Sequence, residues 1–255
     1  MNTPSDPVAA KLQAIGATVV ALKPKSGLKF PFELAGGIDI GRVPEWLVDE
    51  LLPRRGLAAI YGPPGCGKSF LALDMALHVA AGREWFGRQV AAGGVVYIAA
   101  EAGAGMRKRV KAALLALDII RHVPLAVIMV APNLGTTRTG QDGREAGDAA
   151  RLIDEIDKQA PLLGAPVRLV VVDTLARTMA GADENSASDM GAFIANAGRV
   201  AEHFDCLALA VHHTGKNESA GMRGSSALHG ACDAEWEVKS LGETKAVTLV
   251  KNKEG

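Results

Sequence analysis

The sequence predicts an α/β fold: a mostly parallel central sheet flanked by helices, with a C-terminal antiparallel hairpin. Three observations lead there. Short aliphatic runs alternate with helical segments over roughly 150 residues after Gly56, which is the pattern of right-handed βαβ crossovers. Hydrophobic residues make up 48% of the chain and aromatic residues only 4%, so the core must be built from Ala, Val, Leu and Ile, as buried parallel strands are. A chain of 255 residues is long enough for one large domain with a substantial core, whereas two domains would each be small.

Residues 1–45 carry weak periodicity and scattered Pro and Gly, and read as an N-terminal extension with a short helix near Val8–Ile15. The main domain is expected over 46–255. GLAAIYG (56–62) is a short apolar run ending in glycine, hence a buried strand. SFLALDMALHVAAG (69–82) is apolar nearly all round, so it predicts a buried helix stopped by Gly82. GVVYIAAE (94–101) is a second buried strand, and MRKRVKAALLAL (106–117) a helix with a basic face. AVIMVA (126–131) follows as a strand, then AGDAARLIDEIDKQA (146–160) as a helix after a Gly- and Thr-rich loop. RLVVVD (168–173) is the clearest strand signal, DMGAFIANAGRVAEHF (189–204) is helical, and CLALAVHH (206–213) is a strand again. AEWEVKS (234–240) and KAVTLVKN (245–252) alternate in polarity and read as the closing hairpin.

The strongest chemical signal is GPPGCGKS (62–69), which matches G-x-x-x-x-G-K-[ST] between a predicted strand and a predicted helix. Glycines 62, 65 and 67 let the backbone curl so that successive N–H groups point at phosphate oxygens, and the following helix adds the positive end of its dipole. Lys68 places a charge between β- and γ-phosphates, and the Ser69 hydroxyl is a Mg²⁺ ligand. The expected ligands are ATP and Mg²⁺, held by Gly62, Pro63, Pro64, Gly65, Cys66, Gly67, Lys68, Ser69 and the adjoining Phe70.

Two acids sit where hydrolysis needs them. Asp173 ends a predicted central strand, at the carboxyl edge where open α/β sheets bind ligands, and is the second candidate for the metal. Glu101 ends the strand taken to lie beside that of the phosphate loop. There it would polarise an attacking water, or else serve as a surface acid opening the next helix. His213, at the tip of LALAVHH, is either a structural residue or a sensor of the γ-phosphate, and His212 should alternate to the other face. The polar stretch from Thr214 through Lys216 to Ser226 predicts a mobile working loop or plain disorder, with Arg223 as its sole Arg.

Bulk composition narrows the setting. Lys plus Arg equals Asp plus Glu at 28 each, so overall charge gives no argument for nucleic acid, although a local basic loop is compatible with it. Cys66, Cys206 and Cys232 form no CxxC pair, which predicts reduced thiols in a cytoplasmic protein. The N-terminus lacks a signal-peptide pattern, and no apolar run approaches ~18 residues, so no membrane span is expected.

Taken together, GPPGCGKSFLALDMALHVAAG, VYIAAEAG, VVVDTLAR…ADENSASDM, LAVHHTGK and MRGSSALHGACD resemble the RepA-type hexameric replicative helicases of the RecA/DnaB superfamily, over about residues 45–251. The resemblance implies a RecA-like P-loop fold, a ring (usually a hexamer) with nucleotide between subunits, and movement on single-stranded DNA in replication. It implies Lys68 and Ser69 as the Walker A pair, Glu101 as the catalytic base, Asp173 as the Walker B acid and His213 as the sensor, with residues 216–226 lining the pore. The sequence departs from the family in one respect. Where the plasmid helicases carry an arginine finger, this chain reads ALHGACDAEWEV, so Arg223 or Lys239 would have to supply that charge. An alternative is a nucleotide-gated regulatory or assembly ATPase resembling KaiC or RadA. A small-molecule phosphotransferase is disfavoured because no Arg-rich lid is present.

Overall fold

The computed structural model describes residues 45–101, 105–119, 122–137, 147–214 and 226–254. The expected Val8–Ile15 helix, all but the last residue of the 1–45 extension, and the loop carrying Lys216 and Arg223 lie outside them. In chain order the strands are β1 (Trp46–Val48), β2 (Leu52–Pro53), β3 (Gly56–Gly62), β4 (Gly94–Ala99), β5 (Leu125–Ile128), β6 (Val167–Asp173), β7 (Leu207–His213), β8 (Ala234–Leu241) and β9 (Thr244–Asn252). The helices are α1 (Lys68–Ala81), α2 (Gly105–Ala116), α3 (Asp148–Gln159), α4 (Ala187–Phe204) and α5 (Ser226–Ala231). Single 3-10 turns follow α3 (Ala160–Leu163) and β6 (Leu175–Thr178).

Seven strands form one sheet in the order β5-β4-β6-β7-β3-β8-β9. All neighbours are parallel except β8 and β9, which close the sheet as the expected hairpin. Strands β1 and β2 make a separate two-stranded pair that the sequence reading missed, since two or three residues show no periodicity. Helix α5 was also missed, because six residues are too few for an amphipathic repeat. The expected strand 126–131 is shorter and begins one residue earlier, at Leu125–Ile128.

Strand alternation sorts the core into two layers. Ala58 and Ile60 of β3, Val95 and Tyr97 of β4, Leu169 and Val171 of β6, and Leu209 and Val211 of β7 pack with Ala72, Met75, Ala76 and Val79 of α1. Their sequence neighbours Leu57, Ala59, Val96, Val170, Ala208 and Ala210 pack on the other face with Leu152 and Ile156 of α3 and Phe193, Ala197 and Val200 of α4. This is why the strands read as continuous aliphatic runs: each is covered on both faces. Helix α1 is flanked by Gly67 and Gly82, both left-handed, the second as the sequence predicted. Ser186 caps α4 by accepting a hydrogen bond from the Asp189 amide.

One expectation about strand order is corrected. The strand leading to Glu101 does not lie beside β3; β7 and β6 intervene, and the neighbours of β3 are β7 and β8. The crossover through α1 carries the chain past two positions that later strands fill, and the connection after β7 returns to the far side of β3. The direction of connection therefore reverses at β3, and in such sheets the ligand crevice opens at the strand tips around that point.

Candidate nucleotide site at the carboxyl edge

The tips of β3, β4, β6 and β7 and the start of α1 converge at this reversal. The parity of each strand decides which side chains meet there. Asp173 shares its parity with Leu169 and Val171, so it emerges on the α1 face; Tyr97 of β4 points to the same face. Helix α1 begins on that face, so its second residue, Ser69, donates its hydroxyl to Asp173 Oδ1 at 2.9 Å across 104 residues of sequence. Tyr97 donates its hydroxyl to the other oxygen, Asp173 Oδ2, at 2.7 Å.

In the loop itself, Lys68 is buried and donates to the carbonyl oxygens of Gly62 and Pro63, each at 2.8 Å. Gly65 and Gly67 have φ of 74° and 102°, and a Cβ at either position would meet nothing within 4 Å. A left-handed backbone at these two glycines is what a loop that turns its amides toward an anion requires. No side chain caps the first turn of α1, and no acid lies in it. An open, uncapped and acid-free helix N-terminus beside a lysine fits a phosphate chain. A hydroxyl and a carboxylate oxygen 2.9 Å apart likewise fit Mg²⁺, a hard ion that takes few protein ligands and completes its octahedron with water and phosphate oxygens. Among the described residues no group of three His, Cys, Asp or Glu could hold a metal without such help.

Burial sets the electrostatics. It pushes the Asp173 carboxyl above the usual carboxylate range, a shift opposed by the hydroxyls of Tyr97 and Ser69 and reinforced by the charge of Glu101. Burial also holds the Lys68 ammonium below the ordinary lysine range, against the pull of Cys66 and Asp173. The charge of Glu101 is therefore felt at both Lys68 and Asp173. Glu101 accepts a hydrogen bond from Thr174 Oγ1 at 3.1 Å, and Arg177 Nε stands 3.8 Å from the same oxygen. Thr174 directly follows Asp173, so the two acids are linked through adjacent residues although their strands differ.

His213 ends β7 directly opposite Gly62 of β3, while His212 is fully buried. Phe70 is exposed, with the Arg109 guanidinium 5.4 Å above its ring centroid. Pro63 is half-buried, Pro64 and Gly65 are exposed, and Cys66 is buried against the loop. Lys239 pairs with Glu237 of its own chain at 2.7 Å. Sequence reasoning missed Tyr97, Thr174, Arg109 and Arg177. Of these only Tyr97 carried a signal, as a lone hydroxyl-bearing residue in an aliphatic strand.

A solved structure described as an ATPase domain shares its fold, with a TM-score of 0.54 at 13% identity over 79% of this chain and 78% of that one. It is one of 474 solved chains that match. No curated protein matches. The structural match agrees with the RecA-like arrangement of a mostly parallel sheet between helical layers and an antiparallel closing hairpin. A family model described as "AAA domain" covers residues 25–219, well over half of the chain, and the chain belongs to that family.

Proposed function

We propose that the chain is an ATP-hydrolysing RecA-like motor of the RepA type, a helicase or translocase that works on single-stranded DNA as a hexameric ring. The observation that carries the hydrolytic part is the 2.9 Å contact between Ser69 and Asp173, with Lys68 one residue before the serine. It joins a hydroxyl to a carboxylate at the tip of β6, with the Lys68 ammonium on the adjacent residue. Lys68 exchanges the two carbonyls it now binds for phosphate oxygens, which are better acceptors for a charged donor. The amides around Gly65 and Gly67 take further phosphate oxygens. Ser69 and Asp173 would hold Mg²⁺, which would neutralise charge on the outer phosphates. Glu101 accepts the proton of the attacking water, and Thr174 fixes its carboxylate through the 3.1 Å hydrogen bond. His213, the register partner of Gly62, would sense the terminal phosphate.

The polymer half of the reading rests on the ordered motif set, together with the loop around Lys216 and Arg223. Because Lys239 already has a partner in its own chain, Arg223 becomes the stronger source for the missing trans charge. Balanced charge, 28 basic against 28 acidic residues, favours the second reading, a nucleotide-gated assembly ATPase. One experiment separates them: ATP turnover with and without single-stranded DNA, beside native mass measurement. Stimulated turnover in a ring supports the motor. Turnover indifferent to DNA refutes it in favour of the gated assembly protein, and no turnover refutes both.

A further inference from the structure

We infer that Tyr97 is the positioning residue of the metal-binding carboxylate: from the oxygen opposite Ser69 it fixes the orientation in which Asp173 meets a cation. The inference rests on the reading of Ser69 and Asp173 as the Mg²⁺ pair, and asks which group fixes that pair.

Tyr97 is fully buried in the middle of β4, where Val95 and Ala99 on the same face are aliphatic and its register partner on β6 is Val171. Packing alone would be served by Phe or Leu at this position. A phenol in such a layer requires a polar partner, since a buried hydroxyl without one costs stability. Its hydroxyl reaches past Val171 to Asp173 Oδ2 at 2.7 Å, and the Ser69 backbone carbonyl oxygen lies 3.4 Å from the same hydroxyl. Tyr97 thus touches both members of the pair from beneath, from within a strand locked on both sides by β5 and β6.

The division of oxygens makes the role specific. Ser69 occupies Oδ1 and Tyr97 occupies Oδ2. A hydroxyl that lends a lone pair to a cation keeps its proton, so Ser69 can stay on Oδ1 while that edge of the carboxylate faces the ion or its water. The Tyr97 bond on Oδ2 is untouched by that coordination, and it stops the carboxylate from rotating about χ2. Outer-sphere partners of this kind typically change metal affinity by about 10- to 100-fold when removed.

The test is Tyr97→Phe, which deletes one oxygen and keeps the ring. Binding of a fluorescent ATP analogue is measured in EDTA and then against rising Mg²⁺, with melting temperature recorded for both proteins. The expected result is a half-saturating Mg²⁺ concentration raised by about tenfold or more, while analogue affinity in EDTA changes by less than about twofold. Unchanged Mg²⁺ dependence overturns the inference and leaves the site reading intact. An equal loss of affinity in EDTA also overturns it, since the hydroxyl would then serve the loop as a whole. A parent chain whose analogue binding ignores Mg²⁺ overturns both the inference and the metal pair beneath it. Should Tyr97→Phe fail to fold, Tyr97 is replaced by p-aminophenylalanine, whose amine donates from the hydroxyl's position; its half-saturating Mg²⁺ is expected within about threefold of the parent, and a rise of about tenfold or more counts against the proposal.

Discussion

Two glycines of the phosphate loop have different jobs, and substituting them separates the jobs. A Cβ on Gly62 would stand 2.2 Å from the backbone carbonyl oxygen of Val238 and 2.9 Å from Cys66 Sγ. Ordinary contact begins at 3.4 Å, so the strands β3 and β8 would have to part by about 1 Å at that point. The obstacle is backbone in a paired strand, with Val238 itself buried, so no side-chain rotation relieves it. Overpacking of this kind costs about 1–3 kcal/mol, which for a domain of this size lowers the melting temperature by about 3–10 °C. Gly65 is the opposite case: φ is 74° and nothing lies within 4 Å of its Cβ. Asn tolerates that conformation, so Gly65→Asn is expected to melt within about 2 °C of the parent. The assay is scanning calorimetry of both variants in nucleotide-free buffer. A Gly62→Ala protein melting within about 1 °C of the parent, or a Gly65→Asn protein melting as low as Gly62→Ala, would refute the assignment of Gly62 to close strand approach.

Three further outcomes are expected. Glu101→Gln should bind ATP with near-parental affinity but lose about 10²- to 10⁴-fold in turnover, as removal of a general base does; parental turnover in a single-turnover assay removes it from the mechanism. Lys68→Ala should abolish measurable hydrolysis while destabilising the fold by less than about 2 kcal/mol, because the loss of two hydrogen bonds is offset by removal of a buried charge. Urea titration and a phosphate-release assay report the two halves. Asp173→Asn should change the pH dependence of stability. With the folded carboxyl raised by burial, the native state holds its proton more tightly than the unfolded chain. The favourable contribution of that proton is full below pH 3.8 and lost as pH rises through the raised value, so the parent should lose stability relative to Asp173→Asn across that window. Parallel curves in pH-dependent melting would contradict it.

The elements were legible because each carries a local signal. VVVD and GPPGCGKS fix a strand and a loop from a handful of residues, and the termini of β6 and α1 fell within one residue of expectation. Sheet order was not legible. Nothing in GVVYIAAE states that two later strands will lie between it and β3; that is decided by crossovers tens of residues long, whose two possible directions leave the same periodicity. For the same reason Asp173 was recognisable as a strand-end acid, but its union with Ser69 and Tyr97 was not. Only the combination of strand order and side-chain parity brings the three together. Thr174 and Arg177 escaped notice because a polar residue after a strand is common, and what distinguishes these two is the carboxylate of Glu101 coming from another strand.

The place of β3 in the sheet bears on synthesis. Both hydrogen-bonding edges of this strand are completed by β7 and β8, whose residues begin at 207 and 234, long after Gly62 has been made. At about 5–20 residues per second, the strand that founds the cradle waits on the order of ten seconds with two unsatisfied edges. During that interval an aliphatic seven-residue ribbon is open to any neighbouring nascent chain, so slower translation or a stalled ribosome should favour aggregates seeded from GLAAIYG.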